Sequence, residues 1–379
     1  MESNRVIKIA VLTSSRADYG IYLPLLRALE NDENFQLELI VFGMHLSKFH
    51  GYTVSQIEND SFTIAARIES LLLGDTPDAI ATSFALTNQK FVDFWKQHTN
   101  KYDIVFALGD RFEMAAAVLA ALPFAVPFAH LHGGEVTLGA IDNVYRHCIS
   151  SASKFHFVSA PPFAERLKLL LDENHENIHC VGSLSLENLD MIELLDLTEF
   201  KDKWGVDLSI QTLLVTVHPE TVAFEKNEIY SKEIVEALSV LADTYQIIIT
   251  MPNADTMGLI YREAFFLLAQ HKESVHTFEN LGTQSYFTCM KFSKLLIGNT
   301  SSGILEAASF HKYVINLGER QRGRLCSDNI IHLSFDKNAI IATAKDYAKQ
   351  TYQGKNVYYQ ESPSKKILNI LKQEYAALL

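Results

Sequence analysis

Cysteine is scarce in this sequence: four among 379 residues, Cys148, Cys180, Cys289 and Cys326. None stand at the short spacings of a zinc site or a redox pair, which leaves buried thiols in a reducing compartment as the expectation. Basic charge is also short. Lys and Arg total 33 against 45 Asp and Glu, a formal net charge of -12. That excludes the broad basic footprint that nucleic acid or an anionic membrane surface requires. An anionic small ligand would need the few arginines gathered at its site. Long apolar runs are missing as well. The most apolar stretch, residues 114–129, is interrupted by Pro123 and Pro127 and is too short to span a bilayer. The chain begins with a strand-like segment that carries a lysine, not with a secretory leader. No repeats and no low-complexity tract occur, and a cytoplasmic location is the default expectation.

What is present is an alternation of strand and helix. Residues 6–12, 36–42, 104–108, 125–130, 155–158 and 178–181 have the apolar, β-branched character of buried strands. Leu23, Leu26 and Leu29 repeat at helical spacing, and a small-residue helix is expected over 112–122. A second series follows at 213–217, 247–250, 294–297 and 314–317. Strands alternating with helices imply parallel sheets with crossover helices, and two series imply two doubly wound domains. A hinge is expected near 185–195, giving domains of 1–187 and 188–360. The closing segment, 361–379, is expected to be helical, with Ile367, Leu368, Ile370, Leu371 and Tyr375 on one face.

In open α/β sheets ligands bind beyond the carboxyl ends of the strands, and polar motifs recur at those places here. The fullest is HLHGGE at 130–135, followed by Asp142 and by Arg146 and His147. Gly133 and Gly134 allow a sharp turn on which His132 and Glu135 converge; the alternative is a tight turn with a satisfied core histidine. SSRADYG at 14–20 supplies Arg16, and GDRFE at 109–113 supplies Asp110 and Arg111. A lone arginine is costly to bury, so each pairs with a neighbouring carboxylate (Asp18, Asp110) or meets a phosphate.

HPE at 218–220 contributes His218, and PNAD at 252–255 contributes Asn253, unless that residue serves only a turn. GNTSSG at 298–303 precedes a helix expected to open near Ile304. Backbone N–H groups with Ser301, Ser302 and Gly303 there suit a phosphate, although an ordinary helix cap explains the same residues. Glu306 does not stand at capping-box spacing and is available to ribose hydroxyls. The second domain thus offers anion and ribose contacts, and the first offers acids and bases.

These motifs, with GSL at 182–184 (Ser183) and QRGR at 321–324, resemble in order the hydrolysing UDP-N-acetylglucosamine 2-epimerases. The resemblance covers nearly the whole chain. It implies a GT-B-like fold, two Rossmann-type domains around a cleft with the C-terminal helix returning to the first. It also implies release of UDP and N-acetylmannosamine, the sialic acid precursor, from UDP-N-acetylglucosamine. Close relatives act instead on UDP-2,4-diacetamido-2,4,6-trideoxyglucose, in the legionaminic acid route.

C2–H of such a sugar is not adjacent to a carbonyl. Breaking the C1–O bond to UDP must acidify it, with a base at C2 and a stabilised pyrophosphate. A glycal forms, and water adds back with inversion at C2. The implied roles are Asp110, Glu135, Asp142, His132 and His147 for acid–base chemistry, and Arg16, Arg111, Ser183, His218, Asn253, Ser301, Ser302, Gly303 and Glu306 for the substrate. In other branches of the family the position of His132 carries a glutamate, so its role does not transfer. No metal or cofactor is expected, and the partners are the UDP-sugar and copies of the chain in a homodimer or homotetramer. A GT-B glycosyltransferase, a non-hydrolysing epimerase and a nucleotide-sugar binding protein are the competing functions.

Overall fold

The structure is a computed structural model. It describes residues 6–74, 76–136, 142–171, 176–220, 224–252 and 258–376. The chain packs as two compact units. One comprises Met1–Val136, Ala140–Asp190 and Tyr358–Leu379, and the other is built on Met191–Val357.

Among the described residues the first unit holds seven strands: β1 (Ile7–Thr13), β2 (Phe35–Phe42), β3 (Ile64–Ile68), β4 (Ile104–Leu108), β5 (Phe128–Leu131), β6 (Phe155–Val158) and β7 (Ile178–Cys180). They form one parallel sheet in the order β3-β2-β1-β4-β5-β6-β7. The second unit holds six: β8 (Thr212–Thr216), β9 (Gln246–Thr250), β10 (Val275–Phe278), β11 (Leu295–Gly298), β12 (Val314–Leu317) and β13 (Ile330–Leu333). These are also parallel, in the order β10-β9-β8-β11-β12-β13. Counted within each unit, the leading order is 3-2-1-4-5-6, the doubly wound Rossmann arrangement.

The central strands are apolar throughout because helices cover both faces. Every residue of β4, β5, β8, β9, β11 and β12 is buried. In the first unit one core layer packs β1 against Tyr22, Leu25, Leu26 and Leu29 of the helix Arg16–Glu30. Ile367, Leu368 and Leu371 of the closing helix Pro363–Glu374 join the same layer. The opposite layer holds Met114, Ala115, Ala117 and Val118 against Phe91, Trp95 and Phe128. The small-residue helix Phe112–Leu119 is therefore core of its own unit.

Strand order reverses between β1 and β4, and again between β8 and β11. Each reversal opens a crevice at the carboxyl ends of those strands. At the second, the chains approach so closely that a Cβ on Gly298 would lie 1.8 Å from the Thr216 carbonyl oxygen. Its φ of +149° is also outside the range side chains favour.

Candidate active site

In the first unit, Ser14 to Asp18 leave β1 and start the helix Arg16–Glu30. Asp18 is buried and collects the hydroxyls of Thr13, Ser14 and Ser15 and the backbone N–H groups of Ser14 and Ser15. Ser15 and Asp18 complete a capping box. Asp18 is thus fully engaged in building the turn and does not pair with Arg16. Arg16 is exposed, with no ion pair among the described residues, as an anion-binding group requires.

Beyond β4, the expected neighbour pair Asp110–Arg111 is absent. Arg111 instead donates to Glu113 (2.7 Å) and lies 3.2 Å from the Met44 sulfur. Asp110 pairs with Arg146, which comes from the helix Asp142–Ser151. The reason is geometric. Arg111 is the N-cap of the helix Phe112–Leu119, which brings Glu113 within its reach. Arg146 is buried and serves several groups at once. Its Nη1 donates to the His132 carbonyl at 3.0 Å and stands 3.5 Å from Glu135 Oε2.

The hexapeptide divides into a structural and a chemical half. His130 lies on β5 and is fully buried. Its Nε2 is 2.8 Å from the Gly109 carbonyl and its Nδ1 2.9 Å from Ser150 Oγ. A carbonyl only accepts, so the proton sits on Nε2 and Nδ1 accepts from the serine. Burial pushes the imidazole down to about 3 and keeps it neutral. His130 is therefore the satisfied core histidine, and it anchors the peptide next to Asp110.

His132 is different. It is a non-glycine residue at φ +63°, with its N–H bonded to the Phe157 carbonyl. Its Nδ1 lies 2.7 Å from Glu135 Oε1, which also accepts from Ser159 Oγ at 2.8 Å. Gly134 makes the turn possible: at φ +75° a Cβ there would meet the Phe163 carbonyl oxygen at 2.4 Å.

The carboxyls of this cluster are driven apart. Burial raises the Glu135 carboxyl, but His132, Arg146 and the Ser159 hydroxyl outweigh it and hold the group down to about 2. Burial, with Asp110 beside it, pushes Asp142 up. The opposed displacements leave Glu135 ionised and favour the protonated form of Asp142. Burial, reinforced by Arg146 and Arg166, pushes His147 down, and its Nδ1 is buried with no hydrogen bond among the described residues.

In the second unit, Asn299 is fully buried and bridges the crevice mouth. It accepts from the His218 N–H (2.7 Å) and donates to the His218 carbonyl (2.9 Å). The helix after β11 runs Ser301–Leu305 and is capped by Thr300, whose hydroxyl accepts from the Ser302 N–H. The helix therefore opens three residues before Ile304. With five residues its dipole is slight. Gly303 packs toward Val314, where a Cβ would come within 3.1 Å of the valine side chain.

Ser302 Oγ, Glu306 Oε2 and Tyr286 Oη are buried together, near enough for Ser302 to act on both neighbours but without a well-formed hydrogen bond, and Arg324 Nε and Gln321 Oε1 are buried without partners among the described residues. Buried polar atoms are otherwise almost always satisfied, so this cluster suits a polar ligand. Burial pushes Glu306 up to about 7 and Tyr286 up to about 12.

Two expected residues fall elsewhere. Ser183 is 1% exposed, bonded through Oγ to Ser185 and through its N–H to the Tyr358 carbonyl. It ties down the returning chain and is not offered to a ligand. Asn253 lies outside the described residues. Sequence reasoning assigned no role to Arg146, Asn299, Gln321 or Arg324, although all lie in the motifs it used. Ser159 and Tyr286 carry no signal at all. The thiols are free, but only Cys289 is fully buried. Among the described residues no group of three His, Cys, Asp or Glu could hold a metal, and no helix is long and apolar enough to cross a membrane.

Two Rossmann-type units, one with an acid–base cluster and one with a crevice lined by buried polar groups, are the parts of a GT-B-like enzyme. Comparison with known proteins narrows the class. The family described as UDP-N-acetylglucosamine 2-epimerase matches residues 27–372. A Legionella pneumophila protein named UDP-N,N'-diacetylbacillosamine 2-epimerase (hydrolyzing) is 33% identical over 366 residues, 96% of this chain and 95% of that one. A Campylobacter jejuni protein named GDP/UDP-N,N'-diacetylbacillosamine 2-epimerase (hydrolyzing) is 35% identical over 325 residues, 86% and 83% of the two chains. The crystal structure of UDP-GlcNAc 2-epimerase from Neisseria meningitidis bound to UDP-GlcNAc shares the fold. Its TM-score is 0.77 at 17% identity, with 97% of this chain and 100% of that one covered. The chain belongs to the UDP-N-acetylglucosamine 2-epimerase family, as a hydrolysing member.

Proposed function

We propose that the protein is a hydrolysing 2-epimerase of UDP-N,N'-diacetylbacillosamine, that is, UDP-2,4-diacetamido-2,4,6-trideoxyglucose. The observation that supports this sugar over UDP-N-acetylglucosamine is the near full-length likeness to the Legionella and Campylobacter proteins that carry the diacetamido sugar in their names. The family's own description keeps UDP-N-acetylglucosamine as the second reading.

In this reading the second unit holds UDP. Glu306 takes the ribose hydroxyls, and Ser301, Ser302 and His218 take the pyrophosphate; Arg16, exposed in the first unit, is a further cation for the substrate. Charge stabilisation of the departing pyrophosphate lets the C1–O bond break. The first unit supplies the proton chemistry. Asp142, pushed toward its protonated form, is the acid; Asp110, His132 and His147 are the other proton carriers, and Glu135 holds His132. The free thiols fit work in the reducing cytoplasm.

Each UDP-sugar is supplied in heavy water without an acceptor and followed by NMR. The expected products are UDP and the free 2-epimer with deuterium at C2, with at least tenfold higher kcat/KM for the diacetamido sugar. Preference for UDP-N-acetylglucosamine selects the second reading. UDP release that requires an acceptor, or an epimer still joined to UDP, overturns both.

A further inference from the structure

Glu135 has little capacity left for catalysis. One oxygen accepts from His132 Nδ1 and Ser159 Oγ at 2.7 and 2.8 Å, and the other faces Arg146 at 3.5 Å. A carboxylate so occupied is a weak base, and it is already held far below its ordinary range. What it does instead is fix the neighbouring ring. An ionised carboxylate only accepts, so His132 Nδ1 carries the proton, and in the neutral ring the lone pair is on Nε2. No hydrogen bond engages Nε2 among the described residues. The backbone is fixed as firmly. Its N–H is held by the Phe157 carbonyl at 3.2 Å, and its carbonyl by Arg146 at 3.0 Å. The positive φ of +63° is an uncommon state for a residue with a side chain, and such states concentrate where a group must be aimed.

We infer that His132 Nε2 is the base that takes the C2 proton, and that Glu135 is the positioning residue that orients it. This rests on the 2-epimerase reading above. The step balances without a further reactant. Nε2 bonds to the C2 proton, the C2–H pair becomes the C1=C2 bond, and the C1–O pair leaves with UDP, giving imidazolium, glycal and the UDP anion. Glu135 then faces the imidazolium and stabilises it, as a buried carboxylate does for a base histidine. The charged groups around the ring are Glu135 in the same turn, Arg146 with its partner Asp110, and His130 on β5.

The test is a set of pH–rate profiles for wild type, His132→Gln and Glu135→Gln, with UDP affinity measured on each to show an intact second unit. Wild-type kcat is expected to show a limb that rises with pH, as a reaction that needs an unprotonated base does. His132→Gln should lose that limb and fall at least a hundredfold, the contribution typical of a general base. Glu135→Gln should keep the limb but shift it to lower pH, because removing the anion disfavours imidazolium. A His132→Gln enzyme that keeps the limb or a tenth of kcat overturns the inference. If that variant does not fold, Glu135→Gln decides: a shifted limb supports the inference, and an unmoved one overturns it. Failure of wild type to turn over either UDP-sugar is a separate outcome and sinks the epimerase reading itself.

Discussion

Glu306→Gln offers a measurement that does not depend on knowing the sugar. The carboxyl is 7% exposed, one oxygen lacks a partner among the described residues, and burial raises it from 4.5 to about 7. Folding therefore favours its protonated form. Below pH 4.5 the folded and unfolded chains both keep the proton, and stability is undiminished. As pH rises, the unfolded chain ionises first, and stability is lost until pH passes the folded value near 7. The full loss for such a displacement is about 3 kcal/mol, of which about 2 kcal/mol falls between pH 5 and pH 8. Glutamine keeps the shape and cannot ionise. The variant should therefore gain about 2 kcal/mol relative to wild type between those two pH values. Urea unfolding read by hydrogen exchange in peptides of β8, β11 and the Ser301–Leu305 turn reports on this unit alone. Calorimetry adds a second readout: ribose hydroxyls donating to the carboxylate would make wild type release a proton on binding UDP at pH 6, and the variant none. A stability difference that does not change from pH 5 to pH 8 refutes the reasoning.

Two other substitutions probe the scaffolds. Arg146→Met removes the cation shared by Asp110, Glu135 and the His132 carbonyl, and the carboxylates it strands are only partly buried, so the cost falls below the about 3–5 kcal/mol of a fully buried pair; a clear fall in Tm and loss of turnover are expected, and unchanged Tm would count against a shared cation. Asn299→Ala removes a hydrogen bond from both the N–H and the carbonyl of His218, at about 0.5–1.5 kcal/mol each. UDP affinity should drop with it, and calorimetry showing wild-type affinity would separate His218 from the pyrophosphate.

How much of this was legible in the sequence depends on burial. The central strands β4, β5, β8, β9, β11 and β12 are apolar along their length and stand out in the chain. The strands that sequence reasoning missed, β3, β10 and β13, are all sheet edges, and most of their residues are only partly buried. Half-covered strands carry no continuous apolar run. The motifs located the reactive groups at strand ends, yet the pairing among them was not readable. Asp110 and Arg111 are neighbours in sequence, but a helix cap directs Arg111 to Glu113 and leaves Asp110 to a residue 36 positions away. Likewise HLHGGE does not say which histidine serves the core; only the bonds of His130 to Gly109 and Ser150 do.

The return of the chain at Tyr358 has a consequence for biosynthesis. The N-terminal unit contains the last described helix, Pro363–Glu374, with Ile367, Leu368 and Leu371 in the same core layer as β1. On the ribosome the order of completion is thus inverted: the unit translated first must wait for the final segment, while the one translated second has all its residues earlier. Domains ordinarily fold in the order they emerge. Here a nonsense mutation or a proteolytic nick near the carboxyl terminus would damage the unit that bears His132 and Glu135, hundreds of residues upstream, and spare the unit it adjoins in sequence. A tag or fusion at that end bears on the acid–base unit as well.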